Sequence, residues 1–483
     1  MTGQNDIRIL AGGAVITVDA ERRILDPGAI VMQGSLILKV GERDEVLQAY
    51  PMAERIDLEH TVMLPGLIDT HGHAGHGLTK GIADGIGDEW NDIMEDIYFR
   101  STDEAFWRAE SFLSALEHLE FGVTTSLSMT GSAPRVDNPR YAVAASGGYA
   151  ELGLRHIVAL GPPGPPWPKH FRDLATGSAI EVSLDRALQT TSDTIDQIHG
   201  SADGRISVFV GPSGLVPEME NGVATDFSVR QMRGVLELAL TKRTSIHAHA
   251  YAGQILAAAN AFPEILGLHL SLAHCAGISV EEARIMAEQG VSASHGPLTH
   301  AFALARFPLI EALDAGVTVA ISTDGSSPDR SFDLLSQGRV AAQLQRAHFA
   351  DTTLLPAGKI LEMMTIDAAQ AIGMADRIGS LEAGKQADII ALNLRSARLG
   401  PRLMLLQRVV YAASGSDVEF VMVDGNVLRQ HASTTGVDVD GILDDAQRAA
   451  EDAFERAGIE SYLRQHPDVW RSVRYRDVSV GRD

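Results

Sequence analysis

Apolar residues fall along this chain in short runs rather than in long helical stripes. Eight of these runs end in polar, glycine or proline residues: Val62–His71, Gly122–Met129, Leu154–Gly161, Ile206–Pro212, Ser245–His249, Leu268–His274, Val291–His295 and Val317–Asp324. Longer segments with helical periodicity lie between them, such as Asp103–Glu120, Asp226–Thr241 and Val280–Glu288. Near-continuous apolar strands alternating with helices predict an α/β fold with a parallel sheet covered by helices. Eight units predict a closed (β/α)8, TIM-type barrel, with a doubly wound open sheet as the alternative. In such a barrel the chemistry gathers at the C-terminal ends of the strands.

The flanks carry a different pattern. Residues 7–20 and 28–40 read as short strands around Gly12-Gly13 and Gly34, and Gly379–Asn393 and Val418–Leu428 return to it late in the chain. They predict a small β-sandwich domain built from both chain ends, over residues 1–60 and 376–432. The barrel is expected over 61–375 and a helical tail, Arg-rich towards its end, over 433–483. Two connections, 74–102 and 162–204, are long enough to form pocket walls or lids.

Composition narrows the function. Of 483 residues, 45% are hydrophobic and 21% charged, which are globular values. The net charge of −23 argues against nucleic acid and anionic membrane surfaces as partners. No run of about 18 apolar residues is available to span a bilayer. The N-terminal MTGQNDIRIL lacks the features of a signal peptide, and the single Cys275 excludes an internal disulfide, so a cytoplasmic protein is expected.

The polar residues at the strand ends supply the chemistry. The first run ends in His71-Gly72-His73, whose imidazoles share one face of a strand and are spaced to grip one metal ion. The fifth run carries His247 and His249, the sixth His274 and the eighth Asp324. Any one of these is an ordinary polar residue. Together, at one rim of a parallel barrel, they point to a metal site.

PGLIDTHGH, SIHAHA, LAHCAGIS and ISTDG resemble the strand 1, 5, 6 and 8 signatures of the amidohydrolase superfamily. The resemblance is closest to its branch of s-triazine hydrolases and nucleoside or nucleobase aminohydrolases. It extends to GLTKGIADGIGDEW, to SHGPLTHAFALARFPLIEALDAGVTVAISTDG and to GSLEAGKQADIIALN. It implies that His71, His73 and His247 are metal ligands, and that Asp324 both touches the metal and takes a proton from its water. His274 would polarise the substrate or orient that water. His249, on the same face as His247, is the alternative fifth-strand ligand and otherwise a candidate proton donor. The fourth run, Ser207-Val208-Phe209-Val210, has no lysine to bridge two metals, so one divalent ion is expected. Zinc is the first expectation, with iron and manganese compatible.

The resemblance also exposes an absence. Aminohydrolases of this branch carry a glutamate three residues after the fifth-strand histidine. Here that position is Ala250 or Ala252, so His249, Tyr251 or Gln254 would have to supply the proton. His295, at the end of the seventh run, and His76 and Trp90, in the loop after the first, are candidate substrate contacts.

The leading expectation is a mononuclear metal-dependent hydrolase. It would cleave a C–N bond of a small molecule: an amide, urea, carbamate or aminated heterocycle. The alternatives are a deaminase of a purine, pterin or triazine with an atypical proton donor, and hydrolytic displacement of chloride or thiol from an activated carbon. A non-catalytic metal-binding protein is the alternative outside enzymes; Asp324, placed as a base, speaks against it. A homodimer or higher oligomer is expected from the resemblance alone.

Overall fold

The computed structural model describes residues 7–82, 89–131, 135–302 and 304–463. Part of the loop after the first strand and the Arg-rich end of the tail lie outside the described residues.

Eight strands form one parallel sheet in chain order: β1 Leu67–Ala74, β2 Val123–Thr130, β3 Arg155–Leu160, β4 Ile206–Val210, β5 Ile246–Tyr251, β6 Leu270–Ala276, β7 Ser292–His295 and β8 Val319–Ile321. Each strand pairs in parallel with the next. The sheet curls until its last segment meets its first, where the Asp324 amide donates to the His71 carbonyl at 3.0 Å. This is a (β/α)8 barrel, as the alternation of apolar runs predicts. Helices cover it, among them Glu104–Glu120, whose N-terminus is capped by Asp103 accepting from the Phe106 amide at 3.0 Å.

Two further sheets lie beside the barrel, and the second joins residues from both ends of the chain. One orders Leu36–Glu42, Gly28–Gln33, Ile7–Ala11 and Glu54–Asp57. The other places Thr61–Pro65 between Ile389–Asn393 and Ala14–Ile16. Leu10, Ile30, Met32, Met63, Ile389, Phe420 and Met422 form a core between them. Buried Arg155, the first residue of β3, links this unit to the barrel: its Nε donates to Asp388 Oδ2 at 2.7 Å, and its Nη2 lies 3.0 Å from Asp424 Oδ1.

Among the strand boundaries that the structure corrects, two bear on the choice of site residues. The run Val62–His71 is not one strand. It breaks at Gly66 into Thr61–Pro65, in the small sheet, and β1, in the barrel. A β-carbon at Gly66 would lie 2.0 Å from Thr124 Oγ1, so only glycine lets the chain cross so close to β2. The fifth strand does not end at His249 but runs to Tyr251. His249 then stands two residues from the strand end and His247 two residues deeper on the same face.

The long connections are structured where described. The first holds helix Glu89–Asp96 and a π-helical turn, Ile97–Ser101; the second holds a hairpin, Lys169–Arg172 with Ala179–Val182, and helix Leu184–Ile198. The tail forms helix Val439–Ala457. Among the described residues, no helix is long and apolar enough to cross a membrane.

Candidate metal centre

Backbone geometry at the strand ends builds the centre. β1 slips its register against β2 between Asp69 and Gly72. His274 and Asp324 adopt left-handed backbone, with φ of 66° and 59°. For non-glycine residues that conformation costs roughly 1–2 kcal/mol. Such strain clusters at functional sites, where the surrounding structure holds it in place.

Four imidazoles, of His71, His73, His249 and His274, and the Asp324 carboxylate meet there, with His247 behind His71, all buried. Asp324 Oδ1 lies 3.0 Å from His71 Nε2, 3.2 Å from His73 Nε2 and 3.9 Å from His274 Nε2. Thr299 Oγ1 donates to Asp324 Oδ2 at 2.8 Å. The rings of His73 and His249 stack at 5.3 Å, and those of His249 and His274 at 4.9 Å with only 5° between their planes. His71, His73 and Asp324 offer ligand atoms within 4.8 Å of one another, as do His71, His249 and His274.

The outward-facing nitrogens are anchored. His73 Nδ1 donates to the Gly131 carbonyl at 3.0 Å, and His249 Nδ1 to the Ser213 carbonyl at 2.6 Å. With Nδ1 the donor in each bond, Nε2 is the nitrogen turned towards an ion. His247 belongs to neither ligand group. Its Nε2 faces His71 Nδ1 at 2.9 Å, and its Nδ1 faces Ser271 Oγ at 2.7 Å.

Electrostatics suit a cation. Burial pushes His71 and His274 well below the usual imidazole range, His249 down to about 4 and His247 down to about 3, so the rings are neutral at neutral pH. Burial alone would raise the Asp324 carboxyl. Its neighbours His274, His71 and His73 outweigh that and hold it well below the usual carboxylate range. Neutral nitrogens with one carboxylate make a donor set that fits a single zinc-like ion.

The expected substrate contacts lie on two sides of this centre. The His76 ring sits 4.9 Å from that of His73, and Trp90 meets His76 edge-on at 5.6 Å. On the other side His295 packs against Phe307 at 5.0 Å and His300 at 4.9 Å. Both His295 ring nitrogens are buried without a hydrogen-bond partner. Tyr251 stacks on His274 at 5.8 Å. Sequence reasoning assigns no role to Asp69, Thr299 or His300. The signal for the last two is their place just past the His295 strand end. Asp329 pairs at 3.2 Å with the guanidinium of Arg330, whose side chain is buried, and Arg330 Nη2 also lies 3.8 Å from Asp324 Oδ2.

The chain is similar to known proteins in sequence and in fold. The chain is 29% identical over 428 residues to a 5-methylthioadenosine/S-adenosylhomocysteine deaminase of Moorella thermoacetica, covering 87% of this chain and 94% of that one. It is 29% identical to a 5'-deoxyadenosine deaminase of Methanosarcina barkeri, over 93% of this chain and 98% of the relative. The fold matches a zinc-bound adenosine deaminase from Xanthomonas campestris with a TM-score of 0.78 at 22% identity, covering 93% of this chain and 98% of that one. It also matches an atrazine chlorohydrolase from Arthrobacter aurescens TC1, complexed with zinc, with a TM-score of 0.74 at 24% identity, over 92% of this chain and all of the other. The model of the amidohydrolase family matches residues 62–428, which take in the whole barrel and every strand end described above, and the chain belongs to that family.

Proposed function

We propose that this protein is a mononuclear zinc-dependent aminohydrolase that removes ammonia from an aminated heterocycle of the nucleoside kind. As an amidohydrolase the chain is an enzyme of C–N bond hydrolysis acting on a small molecule. The observation that carries the finer reading is the convergence of His71 Nε2 and His73 Nε2 on Asp324 Oδ1, beside the His249 ring. His71, His73, His249 and Asp324 are the proposed ligands, with His274 at their edge. His249 is preferred to His247 because it stands in a ligand group and its Nδ1 is already committed to a carbonyl.

A zinc ion held by these residues would supply Lewis acidity and lower the pKa of a water to about 7. The residues of the chain do the rest. Asp324 takes a proton from the attacking water as general base. His274, buried at the edge of the site, stabilises charge developing on the ring, a role worth roughly 2.7–4 kcal/mol for one good donor. His76 and Trp90 on one side and His295 on the other bind the substrate. The water oxygen bonds to the ring carbon as its proton goes to Asp324, and the C=N pair moves onto the ring nitrogen; the Asp324 proton then passes to the amino nitrogen, and the C–N bond breaks as the ring pair returns and ammonia leaves. The expected oligomeric state and cytoplasmic location belong to this proposal as well.

A second reading draws on one residue. Ala252 stands three positions after His249, where the branch carries its glutamate. A leaving group that needs no proton, such as chloride, would tolerate that loss. Zinc-loaded and chelated protein should be assayed for ammonia and chloride release from 5'-deoxyadenosine, methylthioadenosine, aminotriazines and chlorotriazines. Metal-dependent ammonia release from the nucleosides supports the proposal. Chloride release alone favours the second reading, and full activity in metal-free protein defeats both.

A further inference from the structure

We infer that His247 acts as a positioning residue, the outer acceptor that fixes the tautomer and direction of the His71 ring. The inference rests on the single-ion reading above.

The proton inventory of the buried chain leads to it. A neutral imidazole carries one N–H. If His71 Nε2 keeps its lone pair for the ion, the His71 proton sits on Nδ1. The atom it meets, at 2.9 Å, is His247 Nε2. That nitrogen must then accept, so the His247 proton sits on Nδ1 and donates to Ser271 Oγ at 2.7 Å. Both nitrogens of His247 are thereby used, and its side chain is completely buried. Neither nitrogen is free for the ion.

The arrangement completes a pattern. His73 and His249 each give Nδ1–H to a backbone carbonyl. Metal-binding histidines commonly use a carboxylate, carbonyl or water for this purpose. Here all three acceptors are uncharged, and His247 is the one built from a side chain. Asp324 is left as the negative charge among these groups, so the ion keeps more of its acidity than it would with a carboxylate behind His71.

The geometry assigns a distinct outcome to each variant. His247→Ala leaves a buried His71 N–H without an acceptor, and zinc affinity should fall by about 10–100-fold. His247→Gln puts a carbonyl oxygen near the Nε2 position and should recover most of that loss, although an amide is a poor zinc ligand. Affinity is read by competition with a chromophoric chelator, and thermal unfolding of the metal-free proteins controls for folding. Nitrogen-detected NMR of the zinc-loaded wild type should show imidazole protons on Nδ1 of His71 and His247, and the His71 signal should persist in His247→Gln. Gln binding zinc as weakly as Ala, with folding intact, overturns the inference; so does Ala binding as tightly as wild type. A wild type that takes up no zinc overturns the single-ion reading as well, whereas one zinc per chain with an indifferent position 247 overturns this inference alone.

Discussion

Asp69 holds Thr323 by two bonds: its Oδ1 accepts the Thr323 amide at 3.0 Å, and its Oδ2 accepts the Thr323 hydroxyl at 2.5 Å. The contact joins the first and last barrel segments, two residues before His71 and one before Asp324. All these residues are buried. Asp69 thus ties the left-handed turn at Asp324 to the strand that carries the histidine pair.

Asp69→Asn keeps the volume but turns an N–H towards a donor. A buried group left without its partner costs about 1–3 kcal/mol, so the urea midpoint should fall accordingly. A displacement of Asp324 of about 1 Å should lower kcat by up to about 10²-fold. Thr323→Val keeps the amide bond to Asp69 but removes the hydroxyl bond, and with it the acceptor of the Gly325 amide at 3.2 Å, and should show a smaller loss. Wild-type kcat in Asp69→Asn would mean that the turn holds Asp324 without the clamp.

Asp324→Asn separates ligation from proton transfer. The amide oxygen still faces His71 and His73, but the side chain no longer accepts a proton. General acid–base catalysis contributes about 10²–10⁴-fold, and kcat should fall by that factor. Metal analysis should show zinc retained in a substantial fraction of chains. Undiminished turnover would remove Asp324 from the mechanism.

Much of the fold and of the centre is legible in the amino-acid sequence. Each of the eight apolar runs overlaps a barrel strand, because strands buried on both faces are rich in apolar residues. His71, His73, His249, His274 and Asp324 meet because parallel strands deliver their ends to one rim. What the sequence hides depends on pairing and backbone. His247 and His249 share a face, and only the pairing of β5 with β6 as far as Tyr251 and Ala276 shows which stands at the rim. The split at Gly66 depends on Thr124, far away in sequence. Thr299 and His300 reach the centre through a turn whose direction no periodicity encodes.

His156 makes stability pH-dependent without touching the site. It is buried, stacks on Tyr149 at 3.8 Å with 6° between the planes, and has Ser126 Oγ 2.8 Å from its Nδ1. Burial, aided by His118, pushes its pKa down to about 3. The unfolded chain takes up a proton here near pH 6.5, and the folded chain does not until about pH 3. Stability is therefore unaffected above pH 7 and falls through this window as pH drops, by up to about 1.4 kcal/mol per unit. Urea titrations between pH 5 and 7 should show a slope shallower by one proton in His156→Gln. Identical slopes would mean that the folded protein admits the proton.

The joint between barrel and small sheets should be a stability determinant separable from catalysis. Arg155 bonds both oxygens of Asp388, at 2.7 and 3.2 Å, and lies 3.0 Å from Asp424, whose own amide donates to Asp388 at 2.8 Å. Arg155 and Asp388 are almost fully buried. Removing one partner of a buried ion pair leaves an uncompensated charge and costs about 3–5 kcal/mol, so Arg155→Met should unfold at markedly lower urea. Adding Asp388→Leu to the same chain removes one of the stranded charges and should restore part of the loss. Arg155 opens β3 at the N-terminal end of the barrel, and the metal centre lies at the C-terminal ends, so kcat at a temperature where the variant stays folded should match wild type. A fall in kcat with full zinc occupancy would show that the joint communicates with the site.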